Sequence, residues 1–219
     1  MSEQAYFVGP ETVGPGVLVL PSWWGGDFPL RRRADALADE GFTALVPDLN
    51  FGARPTTLDE AEALLAEADP DRLDRAVQAS AGLLADRSAA ARIAVVGFGM
   101  GGSLALWLSV RRPDLVAACV SVYGNQSIDF AGADARYQLH FAADDPFISD
   151  DDATFLEATM RMEDLEVEVV THGDTVAGFA DESGPHFDEQ ATTRLWEQVV
   201  AFLHMNHPTT SVDSAPEAD

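Results

Sequence analysis

Ile93-Ala94-Val95-Val96-Gly97-Phe98-Gly99-Met100-Gly101-Gly102 is the stretch on which the fold turns. Its β-branched and small apolar start predicts a strand over Ile93–Val96. Gly97–Gly102 reads as a glycine-rich turn, and Gly102–Arg111 as a mostly apolar, buried helix. A strand turning sharply into such a helix has the G-x-x-x-G frame of a nucleophile elbow. The flanking glycines are required because so tight a turn leaves no room for a Cβ. The central residue of the frame takes a positive φ and ordinarily carries Ser or Cys. Here it is Gly99. The turn is kept and the nucleophile is absent.

The same alternation continues on both sides. Upstream, Val17–Pro21 and Phe42–Val46 read as short buried strands, separated by a helix over Leu30–Glu40 that Gly41 ends. Helices follow over Thr57–Ala68, where Thr57 and Glu60 form a capping-box pattern, and over about Asp71–Asp86, opened by Asp69-Pro70. Downstream, Val116–Val122, Tyr137–Ala142 and Val167–Val170 read as strands, Thr154–Met162 as a helix, and Glu189–Met205 as a closing amphipathic helix. Repeated strand–helix alternation predicts an α/β fold: a mostly parallel, doubly wound sheet with helices on both faces. One domain over residues 1–206 is expected, followed by a polar, disordered tail over 207–219. Ligands of such sheets sit at the carboxyl ends of the strands. Four loops fall there: Ser22–Asp27, Gly97–Gly102, Ala143–Asp150 and Gly173–Ala180.

Composition narrows the function classes. The 219 residues carry 37 acidic and 13 basic side chains, a formal net charge of -24. Every basic residue is Arg; the chain has no Lys. A surface this acidic repels phosphate backbones and anionic lipid, which disfavours nucleic-acid and membrane partners. The single Cys excludes a disulfide framework and a Cys-based zinc site. No signal peptide and no run near the roughly 20 apolar residues of a membrane span is visible, so a cytoplasmic location is the default expectation.

Four segments in order resemble the dienelactone hydrolase family of the α/β-hydrolases. They are VLVLPSWWG from Val17, Ala-Leu-Ala-Asp-Glu-Gly-Phe from Ala36 leading into VPDLNFG, the Val-Gly-Phe-Gly-Met-Gly-Gly elbow from Val96, and Phe141-Ala142-Ala143-Asp144-Asp145-Pro146-Phe147-Ile148. The resemblance runs from about Gly16 to Leu203 and implies the α/β-hydrolase fold. It places the catalytic acid on Asp145, the nucleophile on Gly99 and the triad histidine on Ala177, with the Met100 N–H as an oxyanion donor. An acidic residue of the founding enzymes falls on Ser22. Two of the three triad positions then lack a functional group, and the ordinary covalent mechanism needs a base within reach of a nucleophile.

Replacements for the missing groups are few. Ser103 lies one helical turn past Gly99 and points into packing. Ser22 lies on the loop that lends oxyanion donors. Cys119 sits in the apolar strand VAACVSV and is expected to be a core thiol. Among histidines, His172 at the end of the last strand is the best surrogate. His140 reads as a core histidine and His186 as a surface one. The Asp144–Asp152 acid run fits no Ca²⁺ loop, with Asp150 simply an N-cap, and neither metal nor cofactor is expected. An aromatic set on the strand-end loops, Trp23, Trp24, Phe98, Tyr123, Phe147 and Phe179, together with Ser22 and Thr175, outlines a cleft for a small apolar or aromatic molecule.

Four functions compete at this point. The first is a non-hydrolytic homologue that binds such a molecule. The second is a non-covalent acid–base enzyme using Asp145, of lyase, cyclase or isomerase type. The third is an ester or lactone hydrolase with displaced groups. The fourth is a scaffold acting through its surface alone.

Overall fold

The computed structural model describes residues 5–23, 28–55 and 57–207. Seven strands form one sheet: β1 (Tyr6–Val8), β2 (Gly16–Leu20), β3 (Thr43–Val46), β4 (Ile93–Phe98), β5 (Val116–Val122), β6 (Arg136–Asp144) and β7 (Val167–Val176). Their order is β1-β3-β2-β4-β5-β6-β7. All pairs are parallel except β1, which runs antiparallel to β3 at the edge.

Alternating side chains send each strand's residues to two cores. Leu18 and Leu20 of β2 face one core with Val95 of β4, whereas Val17 and Val19 face the other with Val96. Helices α3 (Pro70–Ala85), α4 (Met100–Arg111) and α5 (Asp150–Met162) cover the first core through Val77, Leu106 and Leu156. Helices α1 (Phe28–Asp39) and α6 (Glu189–Asn206) cover the second through Leu37, Leu195 and Val199. The doubly wound reading therefore holds. The remaining helix, α2 (Leu58–Ala66), leads into α3.

The differences from the sequence reading lie at edges and ends. The three-residue strand β1 was not expected, because so short an edge segment carries no period. β6 and β7 extend further than expected, to Asp144 and Val176, since these neighbouring strands pair to Asp144↔Val176. The N-cap of α5 is Ser149, not Asp150: Ser149 Oγ accepts from the Asp152 N–H and the Asp152 carboxylate accepts from the Ser149 N–H. His207, assigned to the tail, is 5% exposed and closes α6, its N–H bonding to the Leu203 carbonyl. The rest of the expected tail, 208–219, lies outside the described residues. Among the described residues no helix is long and apolar enough to cross a membrane.

Candidate functional site

The elbow forms as its glycines require. A Cβ on Gly97 would lie 2.0 Å from the Gly101 carbonyl oxygen, and one on Gly101 would lie 2.3 Å from that of Leu20. The first contact closes the turn and the second seats α4 against β2. Gly99 has φ 53° and ψ -116°. Its N–H bonds to the Val122 carbonyl, and its carbonyl accepts from the Ser103 N–H. Space is not limiting at Gly99: a Cβ there would meet Ser22 Cβ at 3.8 Å and the Tyr123 ring at 3.9 Å, ordinary contacts. Only the positive φ disfavours a side chain. Gly99→Ser is therefore expected to lower stability by about 1 kcal/mol. Urea unfolding checks this, and a variant more stable than the wild type would contradict it.

Two clefts flank the elbow. The first, about 440 Å³ including its open mouth, is lined by Ser22, Arg33, Phe98, Tyr123, Asp181 and Trp196, among others. The second, about 810 Å³ on the same measure, includes Trp23, Leu49, Phe51, Leu64, Arg72 and Met100. Thus Ser22 and Phe98 open to one side, and their near neighbours Trp23 and Met100 to the other.

Tyr123 forms the inner wall of the first cleft. Its φ of 38° is unusual for a bulky residue, a kind of strain that clusters at functional sites. Its phenol bonds to the Ala180 backbone; burial, then the Asp181 and Asp145 carboxylates, push its pKa up. At the outer wall, Arg33 lies over the Trp196 ring at 5.5 Å and pairs with Glu182 at 3.2 Å, and Arg32 pairs with the same carboxylate.

Asp145 follows the end of β6. Its Oδ1 accepts from the Phe147 and Ile148 N–H groups at 2.8 and 3.1 Å. Its Oδ2 is buried with no donor. Burial raises the carboxyl pKa, and the two amide bonds oppose that shift. The expected link to His172 is not made. His172 Nε2 instead lies 3.0 Å from His140 Nδ1, because residues two apart on β6 and β7 face the same side of the sheet and Ala142 pairs with His172.

The other expected residues divide. Ser22, Phe98 and Tyr123 come together at the first cleft, and Trp23 and Met100 at the second. Phe147, expected in the cleft, is 75% exposed and lines neither cleft; it meets the Trp23 ring edge-on at 6.1 Å. Thr175 and Phe179 are buried and line neither cleft. The Thr175 hydroxyl donates to the His172 carbonyl, and Phe179 fills the core beside Tyr123. Ala177 bonds through its N–H to the Asp144 carbonyl, directly beside the residue-145 position. Trp24 lies outside the described residues. Ser103 donates to the Asn125 carbonyl, Cys119 is fully buried, and His186 is exposed, each as expected.

Sequence reasoning missed Arg33, Asp181, Glu182 and Trp196. Arg33 and Trp196 belong to α1 and α6, which meet only after both have packed on the sheet. Asp181 and Glu182 lie just past the expected Gly173–Ala180 loop, so its boundary was the available signal. Among the described residues no group of three or more His, Cys, Asp or Glu converges on a point where a metal could sit.

Comparisons with known proteins agree with the fold. A sequence model described as the dienelactone hydrolase family matches residues 4–206. Two relatives, from Aquifex aeolicus and Aquifex pyrophilus (the latter named Protein usf), are each 28% identical over 212 residues, covering 91% of this chain and 92% of theirs. A human carboxymethylenebutenolidase homolog is 26% identical over 178 residues, 78% of this chain and 72% of its own. Among solved structures, a dienelactone hydrolase-like promiscuous phosphotriesterase, P91, from metagenomic libraries superposes with a TM-score of 0.79 at 24% identity, covering 92% of each chain.

Proposed function

Because the chain belongs to the dienelactone hydrolase family, we propose that its elbow clefts bind a small apolar or aromatic molecule and do not hydrolyse it through a covalent intermediate. The observation that carries this reading is Gly99. The backbone holds the φ of an elbow, with room for a side chain, and offers no atom to attack a carbonyl. Two further features support it. Asp145 Oδ2 has no donor, and Ala177, beside it in register, supplies none. The aromatic wall of Phe98, Tyr123 and Trp196 suits a flat or apolar ligand. The names of the relatives suggest small esters and lactones as the first compounds to try.

The expected result is thermal stabilisation by such a compound without turnover. A ligand at a hundred times its Kd adds about 2.7 kcal/mol. A nitrophenyl ester should give no burst, and a fluorophosphonate or iodoacetamide probe no adduct. A burst that disappears in Ser22→Ala would overturn the reading in favour of a displaced hydrolase.

A second reading is favoured by one observation. Asp145 is a half-buried carboxyl that burial pushes above its usual range, and its charge is felt at the Tyr123 phenol. Such a group suits proton transfer without a covalent step, in a lyase, cyclase or isomerase reaction. Turnover of an enolisable lactone that Asp145→Asn abolishes would select this second reading.

A further inference from the structure

The two clefts adjoin at Gly99. Ser22 lines the first and Trp23 the second, and consecutive Cα atoms are only about 3.8 Å apart. Phe98 lines the first and Met100 the second, with Gly99 alone between them in the chain. Beyond its chain neighbours, a Cβ on Gly99 would meet nothing nearer than Ser22 Cβ at 3.8 Å and the Tyr123 ring at 3.9 Å. Both of these residues line the first cleft. A nucleophilic side chain at position 99 would therefore stand in the gap between the clefts. Glycine leaves that gap open.

The walls of the two clefts differ. In the first, Phe98 packs on both other rings, Tyr123 at 6.4 Å and Trp196 at 5.6 Å between centroids. Such a wall suits a flat ring, which gains from tilted and edge-to-face contacts. In the second, Leu49, Ala61, Leu64, Leu73 and Met100 supply apolar surface without rings. One face of its Phe51 is taken by the Arg72 guanidinium, 3.6 Å from the ring centre, and its Trp23 meets Phe147 edge-on. This wall suits a flexible chain, which gains by leaving water and needs no particular orientation.

Charge narrows the ligand further. Each cleft is lined by one guanidinium and two carboxylates: Arg33 with Asp181 and Glu182, and Arg72 with Glu67 and Asp69. That surplus of acid repels an anion. Glu182 is shared by Arg32 and Arg33, and Asp69 caps α3 through the Asp71 N–H, so these carboxylates serve the protein's own cations and donors. An uncharged ligand fits both clefts.

We propose that Gly99 joins the clefts into one channel across the elbow, and that the channel takes an uncharged molecule made of an aromatic ring and an aliphatic chain. The ring lies against Phe98 and Tyr123, and the chain runs past Gly99 to Leu64 and Met100. The lost nucleophile is then a gained passage. This rests on the reading that the clefts bind a small molecule without a covalent step, and it adds the shape of that molecule and its course through the site.

Phenyl ketones test it, because they are uncharged and offer no bond to hydrolyse. By equilibrium dialysis, Kd should fall about fourfold for each CH₂ added from acetophenone through butyrophenone to hexanophenone. Gly99→Ser, which closes the gap, should flatten the series. Ala68→Phe, which fills the second cleft from its wall, should flatten it too. Trp196→Leu should weaken all three ketones by a similar factor and keep the slope. A slope retained in Gly99→Ser or in Ala68→Phe would put the chain elsewhere and overturn the channel, and if one of these variants does not fold the other decides. A flat series in the wild type, with acetophenone still bound, would overturn the channel and leave the proposed binding function standing. Binding of none of the ketones would overturn both.

Discussion

Gly99→Ser combined with Ala177→His is expected to cleave a nitrophenyl ester about 10²–10⁴-fold faster than either single variant, the usual gain from general base catalysis. The gain requires both groups. A serine without a base stays protonated, and a histidine without a nucleophile has nothing to activate. The scaffold is prepared for each. A serine Cβ at position 99 meets only ordinary contacts. Position 177 follows the Asp144↔Val176 pair, so a histidine there starts beside Asp145, whose Oδ2 lacks a donor. The Met100 N–H, at the first residue of α4, supplies an oxyanion donor of the kind an elbow provides. Initial rates for the wild type, both single variants and the double variant test this. A single variant as fast as the double would show that another residue already serves. Wild-type esterase activity lost in Ser22→Ala or His172→Ala would replace the proposed function altogether.

Gly97→Ala should destabilise the fold by about 3 kcal/mol, lowering the melting temperature by about 6–12 °C. The added Cβ would stand 2.0 Å from the Gly101 oxygen and 2.3 Å from its carbonyl carbon. These are backbone atoms that cannot swing aside, so the turn between β4 and α4 must open. Gly82→Ala is the control. It lies inside α3 with nothing within 4 Å of a new Cβ, and it should gain about 0.5–1 kcal/mol. Calorimetry on the two variants separates a local clash from any general effect of adding a methyl. A stable Gly97→Ala would mean that the elbow is not as tight as its geometry requires.

The parts legible in the sequence share a local cause. A strand, a helix or a glycine turn is specified by residues within one turn or one pleat of each other. The periods of β2, β4 and α6 were therefore readable, and so was the left-handed Gly99 inside its frame. Asp145 was singled out by the family resemblance and not by any local period, although the segment that carries it does follow β6 directly. What failed locally failed at ends. Three residues of β1 carry too little pattern, and Ser149 rather than Asp150 caps α5 because the reciprocal bond with Asp152 decides the cap.

The sequence by itself determined the alternation, the two-faced sheet, the elbow and the absence of a nucleophilic side chain at its centre. Tertiary structure alone decided which distant side chains share a space. Arg33 and Trp196 reach one cleft from helices 163 positions apart, because α1 and α6 cover the same face of the sheet. His172 pairs with His140 rather than Asp145 because strand register sets which side chains on β6 and β7 face one another. Register is a property of two strands together. No single stretch encodes it, and the hydrogen bonds that depend on it appear only once the sheet has formed.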